Sequence, residues 1–106
     1  MKSITVRDKN NNTYTLTFTA ETVKMLDTAG FYINGVYEHP MTYIPMLFEG
    51  AFLAKEANKV TSEDAMAIYQ AQRDKPKLLQ KLIELYNDPI NEVIVKEGNV
   101  EWECNF

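Results

Sequence analysis

The sequence lacks the features of a secreted or membrane-bound protein. Its 106 residues include a single cysteine, Cys104, so no disulfide can form within one chain. That cysteine usage is typical of a reducing compartment. No segment has the roughly 20 consecutive apolar residues that a membrane-spanning helix requires. Polar residues interrupt every apolar one over residues 1–7, unlike the continuous apolar core of a signal peptide. The sequence predicts a cytoplasmic protein that does not bind membranes.

Positive charge is also scarce. Eleven Lys and Arg residues stand against fifteen Asp and Glu, which gives a net charge of −4. Nucleic-acid binding is favoured by clustered Lys and Arg, because neutralising phosphates releases counterions, so this balance disfavours a nucleic-acid partner. With 45% hydrophobic and 25% charged residues, the composition is that of a globular chain. The length fits one domain over residues 1–106.

Residues with catalytic potential are few and scattered. His39 is the only histidine and lies before Pro40, far in sequence from Cys104. Cys104 is predicted on the apolar face of a strand, where burial raises the pKa of a thiol and keeps it inert. Two carboxylate pairs, Glu63/Asp64 and Glu101/Glu103, are better explained as a helix N-terminus and a polar strand face. We therefore expect neither an enzyme nor a cofactor.

One segment partly matches a calcium-binding loop. Asp8, Asn10 and Asn12 have the spacing of the first three ligands of an EF-hand. The motif then requires Gly and, at its last position, a bidentate Glu, but this sequence has Thr13 and Thr19 there. The segment is predicted to be a solvated hairpin turn without a metal.

Alternation of apolar and polar residues predicts three strands. Residues 3–7 and 13–19 alternate on either side of a polar loop, which indicates a β-hairpin with one buried face. Residues 100–105 alternate in the same way, with Trp102 on the apolar side. Because an isolated hairpin is only marginally stable, we expect this C-terminal strand to join the hairpin and to bury Trp102 against it.

Helical periodicity accounts for most of the remainder. Thr19 and Gly30 are expected to bound a first helix, and 31–41 to be irregular. A second helix is expected over 43–57, capped by Thr42, with Pro45 in its first turn. Thr61 opens a capping box for a third helix. Asp74 begins a fourth helix, which is strongly amphipathic and should end at Asp88 and Pro89. One or two further helical turns are expected over 90–96. The predicted fold is α+β: a small antiparallel sheet, made of the N-terminal hairpin plus the C-terminal strand, packed against four or so helices.

The helix over 43–57 is apolar around most of its circumference. Met46, Phe52 and Leu53 flank its packing face and exceed what a single contact requires. Either neighbouring helices cover both flanks, or one flank binds a protein partner or a second copy of this chain. Met46, Phe52 and Leu53 are therefore the predicted interface residues.

Several segments, taken together, resemble a known family. The predicted hairpin is followed by residues 18–23, which lead into a helix that ends at residues 29–31. Further along the chain come the apolar segment 44–53 and the terminal segment 99–103. This order resembles the small tail-assembly-chaperone-type proteins of long-tailed phages and of prophages in Gram-positive bacteria. The resemblance implies a non-enzymatic protein of the bacterial host cytoplasm that binds the tape measure protein, keeps its apolar helices soluble and helps to recruit tail-tube subunits.

Two other functions are compatible with the sequence. A virion structural or connector subunit would share the size and fold class, but would be found in purified particles. A small acidic regulatory protein would need a contiguous carboxylate face, whereas the acids here are spread along the chain.

Overall fold

The computed structural model describes residues 2–57 and 59–106. Two strands precede five helices: β1 (Ile4–Arg7), β2 (Thr13–Leu16), α1 (Ala20–Thr28), α2 (Gly35–Glu38), α3 (Pro40–Glu56), α4 (Ser62–Ala71) and α5 (Lys75–Ile94). The predicted α+β class is confirmed. No helix in this described part combines the length and apolarity needed to cross a membrane.

The N-terminal hairpin forms as predicted, around a turn organised by one carboxylate. β1 and β2 pair antiparallel, with Val6 opposite Tyr14. Asp8 Oδ1 accepts hydrogen bonds from the amides of Asn10 and Asn12, both at 2.9 Å. Asp8 Oδ2 accepts from Asn12 Nδ2 and the Tyr14 hydroxyl, both at 3.0 Å. The Asn12 side chain contributes most to holding the pKa of Asp8 below its ordinary value. The carboxylate thus serves the turn.

β2 is shorter than predicted because the chain leaves the sheet after Leu16. The Thr17 amide donates to the Ala51 carbonyl of α3 at 3.0 Å. Thr19 then caps α1: its hydroxyl accepts from the Thr22 amide, and the Thr22 hydroxyl accepts from the Thr19 amide. These polar side chains start a helix where alternation alone would extend the strand.

Gly30 ends α1 as predicted. Its φ of +95° lies in the left-handed region that favours glycine. The Gly30 amide donates to the Asp27 carbonyl and the Phe31 amide to the Leu26 carbonyl, the paired bonds of a Schellman motif. Phe31 is thereby directed into the core.

Helix α3 begins earlier than the sequence indicated. It starts at Pro40, with His39 rather than Thr42 as its N-cap, and α2 lies within the stretch predicted to be irregular. The proline ring suits the first helical position, where no amide donor is needed. The His39 carbonyl accepts from the amides of Thr42 and Tyr43. Pro45 consequently lies inside the helix rather than in its first turn.

Thr61 and Asp74 cap α4 and α5 as predicted, but α5 does not end at Asp88 and Pro89. It continues to Ile94. Pro89 removes only the amide that would donate to Leu85, and Ile90 still packs against the core on the far side of the proline. Packing on both sides of Pro89 outweighs the loss of one hydrogen bond.

The core surrounds α3, which packs against β2 and the other four helices. Leu47, Phe48 and Ala51 of α3 are fully buried and meet Leu16 of β2 and Leu82 of α5 within one hydrophobic cluster. Helix α3 is therefore the central element of the domain.

The predicted C-terminal strand does not form. The sheet in the described residues has two strands, and residues 95–106, called here the C-terminal arm, contain no strand. Trp102 is 86% exposed instead of buried. Alternation shows that a segment can pair with a sheet edge, but not that it reaches one. Every residue in the last turn of α5, 91–94, is exposed, and the arm continues from that end.

Candidate protein-binding surfaces

The three predicted interface residues line one groove. It has a volume of about 310 Å³ and lies between α3 and the start of α4. Its walls also include side chains from α1 and from the loop that precedes α4. The lining residues are Leu26, Met46, Glu49, Gly50, Phe52, Leu53, Ala57, Val60, Thr61, Ser62 and Ala65.

Those three residues do not occupy equivalent positions in the groove. Met46 and Leu53 are half-buried. Phe52 is only 2% exposed and belongs to the core, so it is not the exposed flank that the helical pattern predicted. Its ring packs against those of Phe48 and Tyr14, with centroids 5.2 and 5.9 Å away. The hairpin covers this flank of α3, a contact that helix periodicity alone cannot reveal.

A close contact between α1 and α3 forms part of the groove. Gly50 of α3 is buried, and a Cβ atom added there would lie 2.7 Å from Leu26 Cδ1. The absence of a side chain at Gly50 therefore allows Leu26 to reach the groove. The lining is mainly apolar, with Glu49, Thr61 and Ser62 as its polar members. This surface suits apolar side chains of a partner.

A second apolar surface was missed by the sequence analysis. Of the ten exposed large hydrophobic side chains in the described residues, six fall within 93–106. They are Val93, Ile94, Val95, Val100, Trp102 and Phe106. The signal for it is the alternation over residues 100–105, which predicts a buried strand instead. Exposed clusters of apolar side chains are typical of interaction sites, so this segment is a second candidate surface.

The structure places His39 and Cys104 in different parts of the fold. Cys104 is exposed in the arm rather than buried, and its thiol donates to the Phe106 carbonyl at 3.3 Å. His39 lies at the start of α3, beside the ring of Tyr43. Among residues 2–57 and 59–106, no group of three or more His, Cys, Asp or Glu side chains is arranged to hold a metal ion.

One tyrosine has a markedly raised pKa for a structural reason. The Tyr32 hydroxyl donates to Glu38 Oε2 at 2.9 Å, and this bond raises the pKa of Tyr32 to about 12. Tyr32 also stacks edge-on against Tyr43, with ring centroids 4.9 Å apart. Tyr32 lies in the loop before α2, Glu38 ends α2 and Tyr43 belongs to α3. The two contacts of Tyr32 therefore connect this loop to both helices. The raised pKa reflects this stabilising contact.

Comparison with known proteins gave a family match over the whole chain. The model of a family described as a domain of unknown function (DUF5055) matches residues 1–106. No curated protein and no solved structure matches the chain.

Proposed function

This chain belongs to the DUF5055 family of domains of unknown function, and we propose that it is a non-enzymatic domain that binds another protein. The observation that carries the proposal is the groove on α3. Met46 and Leu53 are half-buried at an open apolar surface whose floor is the packed core around Phe52. Preformed apolar grooves of this kind bind apolar side chains presented by a partner.

An amphipathic helix is the proposed form of the partner. A groove of about 310 Å³ accommodates one or two large apolar side chains. A helix presents such side chains three or four residues apart, so that neighbouring anchors enter the same groove. Met46 suits varied partners, because its flexible, polarizable side chain adapts to different shapes.

The resemblance to tail assembly chaperones gives the proposal its biological form. The client would be the tape measure protein, whose long apolar helices need a soluble partner before tail-tube subunits assemble. The site of action would be the bacterial host cytoplasm. The groove supports this client class through its apolar lining and open shape.

Two substitutions test the groove. Met46→Glu and Leu53→Glu would each place a carboxylate at the half-buried surface and should weaken client binding at least tenfold, because burying an unpaired charge is costly. Phe52 is unsuitable for this test, since a charge in the core would unfold the domain. The matched control is Met41→Glu in the first turn of the same helix, where Met41 is 90% exposed and lies outside the groove.

The measurement is co-expression with a candidate tape measure protein, followed by quantification of the soluble client and of the recovered complex. The proposal requires more soluble client with the wild-type chain and with Met41→Glu than with either groove variant. Circular dichroism should show that all variants keep the wild-type helix content. If the client remains equally insoluble with and without this chain, the chaperone function is excluded. Recovery of the chain in purified virions would instead identify a structural subunit.

A further inference from the structure

We propose that the C-terminal arm of one copy pairs as a β-strand with the outer edge of β1 in a second copy, so that two copies exchange arms and form a dimer. This inference goes beyond the proposed function, because it concerns different residues and a different partner. It rests on the open edge of β1, the exposed alternating arm and the opposite charges that the two segments carry.

The outer edge of β1 has unused pairing capacity. The Asp8 amide donates to the Asn12 carbonyl across the hairpin. Backbone groups alternate in direction along a strand, so those of Ile4 and Val6 also point to β2, whereas those of Thr5 and Arg7 point away from it. Gln72 Nε2 reaches this outer edge and donates to the Arg7 carbonyl at 2.6 Å. Thr5, whose side chain is exposed, is left available to an added strand.

The arm has the pattern of a strand without a partner. Every residue from 95 to 106 is exposed, and Val100, Trp102 and Phe106 alternate with polar residues. A two-stranded hairpin gains stability from a third strand, and an exposed sheet edge is a template for one. Strand addition would cover the apolar side chains of the arm and the free backbone groups of β1 together.

The charges favour pairing of the arm with the β1 edge over pairing of two β1 edges or of two arms. The β1 segment carries Lys2, Arg7 and Lys9, of which Lys2 already pairs with Asp88 of α5 at 3.4 Å. The arm carries Glu97, Glu101 and Glu103, while its one basic residue, Lys96, pairs with Glu92 of α5. The nearby Asp8 carboxylate is engaged by four hydrogen bonds within its own turn. Two β1 edges would repel each other, as would two arms, whereas an arm and an edge attract. Opposite charges side by side stabilise strand pairs, and like charges destabilise them.

The faces of the two segments also match. Along β1, Ile4 and Val6 face the core, and Thr5 and Arg7 face solvent. If Glu101 and Glu103 share the solvent face with Arg7, the two-residue period places Trp102 on the face of Ile4. Ile4 is only half-buried, so the indole ring would cover its exposed part.

A second copy is favoured over the same chain because of where the arm begins. The last turn of α5, residues 91–94, is exposed at every position, and the longest dimension of the molecule, 59 Å, is about twice the other two, 28 and 25 Å. To reach its own β1, the arm would have to reverse direction. Reciprocal exchange between two copies needs no reversal and forms a closed twofold assembly, in which each arm uses the edge of the other copy.

Mass and fluorescence together test the exchange. Trp102 is the only tryptophan, so its emission reports directly on the arm. With rising concentration of the full chain, light scattering should move from the monomer mass of 12.2 kDa to twice that value. The emission of Trp102 should shift to shorter wavelength over the same concentration range, because pairing removes the ring from water.

Charge exchange identifies the contact. Arg7→Glu alone and Glu101→Arg with Glu103→Arg should each weaken dimerisation about tenfold or more, since like charges then meet at both edges of the dimer. An equimolar mixture of the two variants should dimerise as strongly as the wild type, because every arm again meets an edge of opposite charge. Lys77→Glu, at an exposed position on α5, is the control and should leave the dimer unchanged.

Three results would overturn the proposal: a monomer at all accessible concentrations, a dimer insensitive to these charge reversals, or a blue-shifted tryptophan at the monomer mass. The last would show that the arm folds back on its own sheet. None of these results affects client binding by the groove, because Met46 and Leu53 are unchanged in these variants. Loss of client binding by Met46→Glu likewise leaves the exchange of arms intact.

Discussion

Aromatic side chains in this protein differ sharply in how far they are buried. Phe48 is fully buried in α3, where its ring meets those of Phe52 and Tyr69, with centroids 5.2 and 5.1 Å away. Trp102, the largest side chain of all, projects from the arm into solvent. Residue type alone favours burial for both, and only their positions relative to the core separate them.

This contrast predicts opposite effects of two similar substitutions. Phe48→Ala should lower the free energy of unfolding by about 3–5 kcal/mol, because it removes a buried ring and leaves a cavity. Trp102→Ala should change the stability of the monomer by less than about 0.5 kcal/mol, as is usual for an exposed site. Urea denaturation at a concentration where the protein is monomeric, followed by circular dichroism, measures both. A large loss for Trp102→Ala in that monomer would contradict the exposed arm.

Helix boundaries show how caps and packing combine at the level of the element. Thr61 and Asp64 form the capping box that the sequence predicted, with the Asp64 amide donating to Thr61 Oγ1 at 3.1 Å. Thr42, also predicted to be a cap, lies instead inside the first turn of α3. Both threonines have side chains suited to capping. However, α3 begins at Pro40, two residues before Thr42, so Thr42 is not at the cap position.

The two threonines therefore give a matched test. Thr61→Ala should destabilise the domain by about 1 kcal/mol, because the Asp64 amide loses its acceptor. Thr42→Ala should have an effect near zero or slightly stabilising, since alanine is a better residue within a helix. Thermal unfolding of both variants under identical conditions measures the difference. Equal destabilisation would mean that α3 begins near Thr42 after all.

At the scale of the whole molecule, the exposed arm is distinct from the packed remainder of the domain, called here the body. The Cα radius of gyration is 15.8 Å, whereas a compact domain of about 100 residues has roughly 13 Å. The difference follows from the exposed last turn of α5 and the exposed residues 95–106. The body and the arm should therefore differ in their susceptibility to proteases.

Limited digestion with chymotrypsin at low protein concentration should first cleave after Trp102. Proteases act on exposed chain without regular structure, and Trp102 lies in such a segment. Tyr37 is the internal control, because it is 68% exposed but lies within α2. Mass spectrometry of the early products identifies the cut, and initial cleavage within residues 4–94 would contradict this division. Protection of Trp102 at high concentration would agree with the proposed exchange of arms.

The sequence by itself determined the features that depend on neighbouring residues. Alternation predicted the hairpin, the Asp8–Asn12 segment predicted its turn, and Thr19, Gly30 and Thr61 marked helix ends through local hydrogen bonds. The wide apolar surface of α3 indicated contacts on more than one side of the helix, and Met46 and Leu53 on its flanks line the groove.

Only the tertiary structure decided how these elements meet. Phe52 is buried because Tyr14 of the hairpin packs on it, and α5 passes through Pro89 because Ile90 finds a place against the core. Residues 100–105 have the period of a strand but do not pair with the two-stranded sheet, so Trp102 stays exposed. Periodicity specifies which side chains share a face, whereas burial depends on contacts between residues distant in sequence, and those contacts are made only when the chain folds.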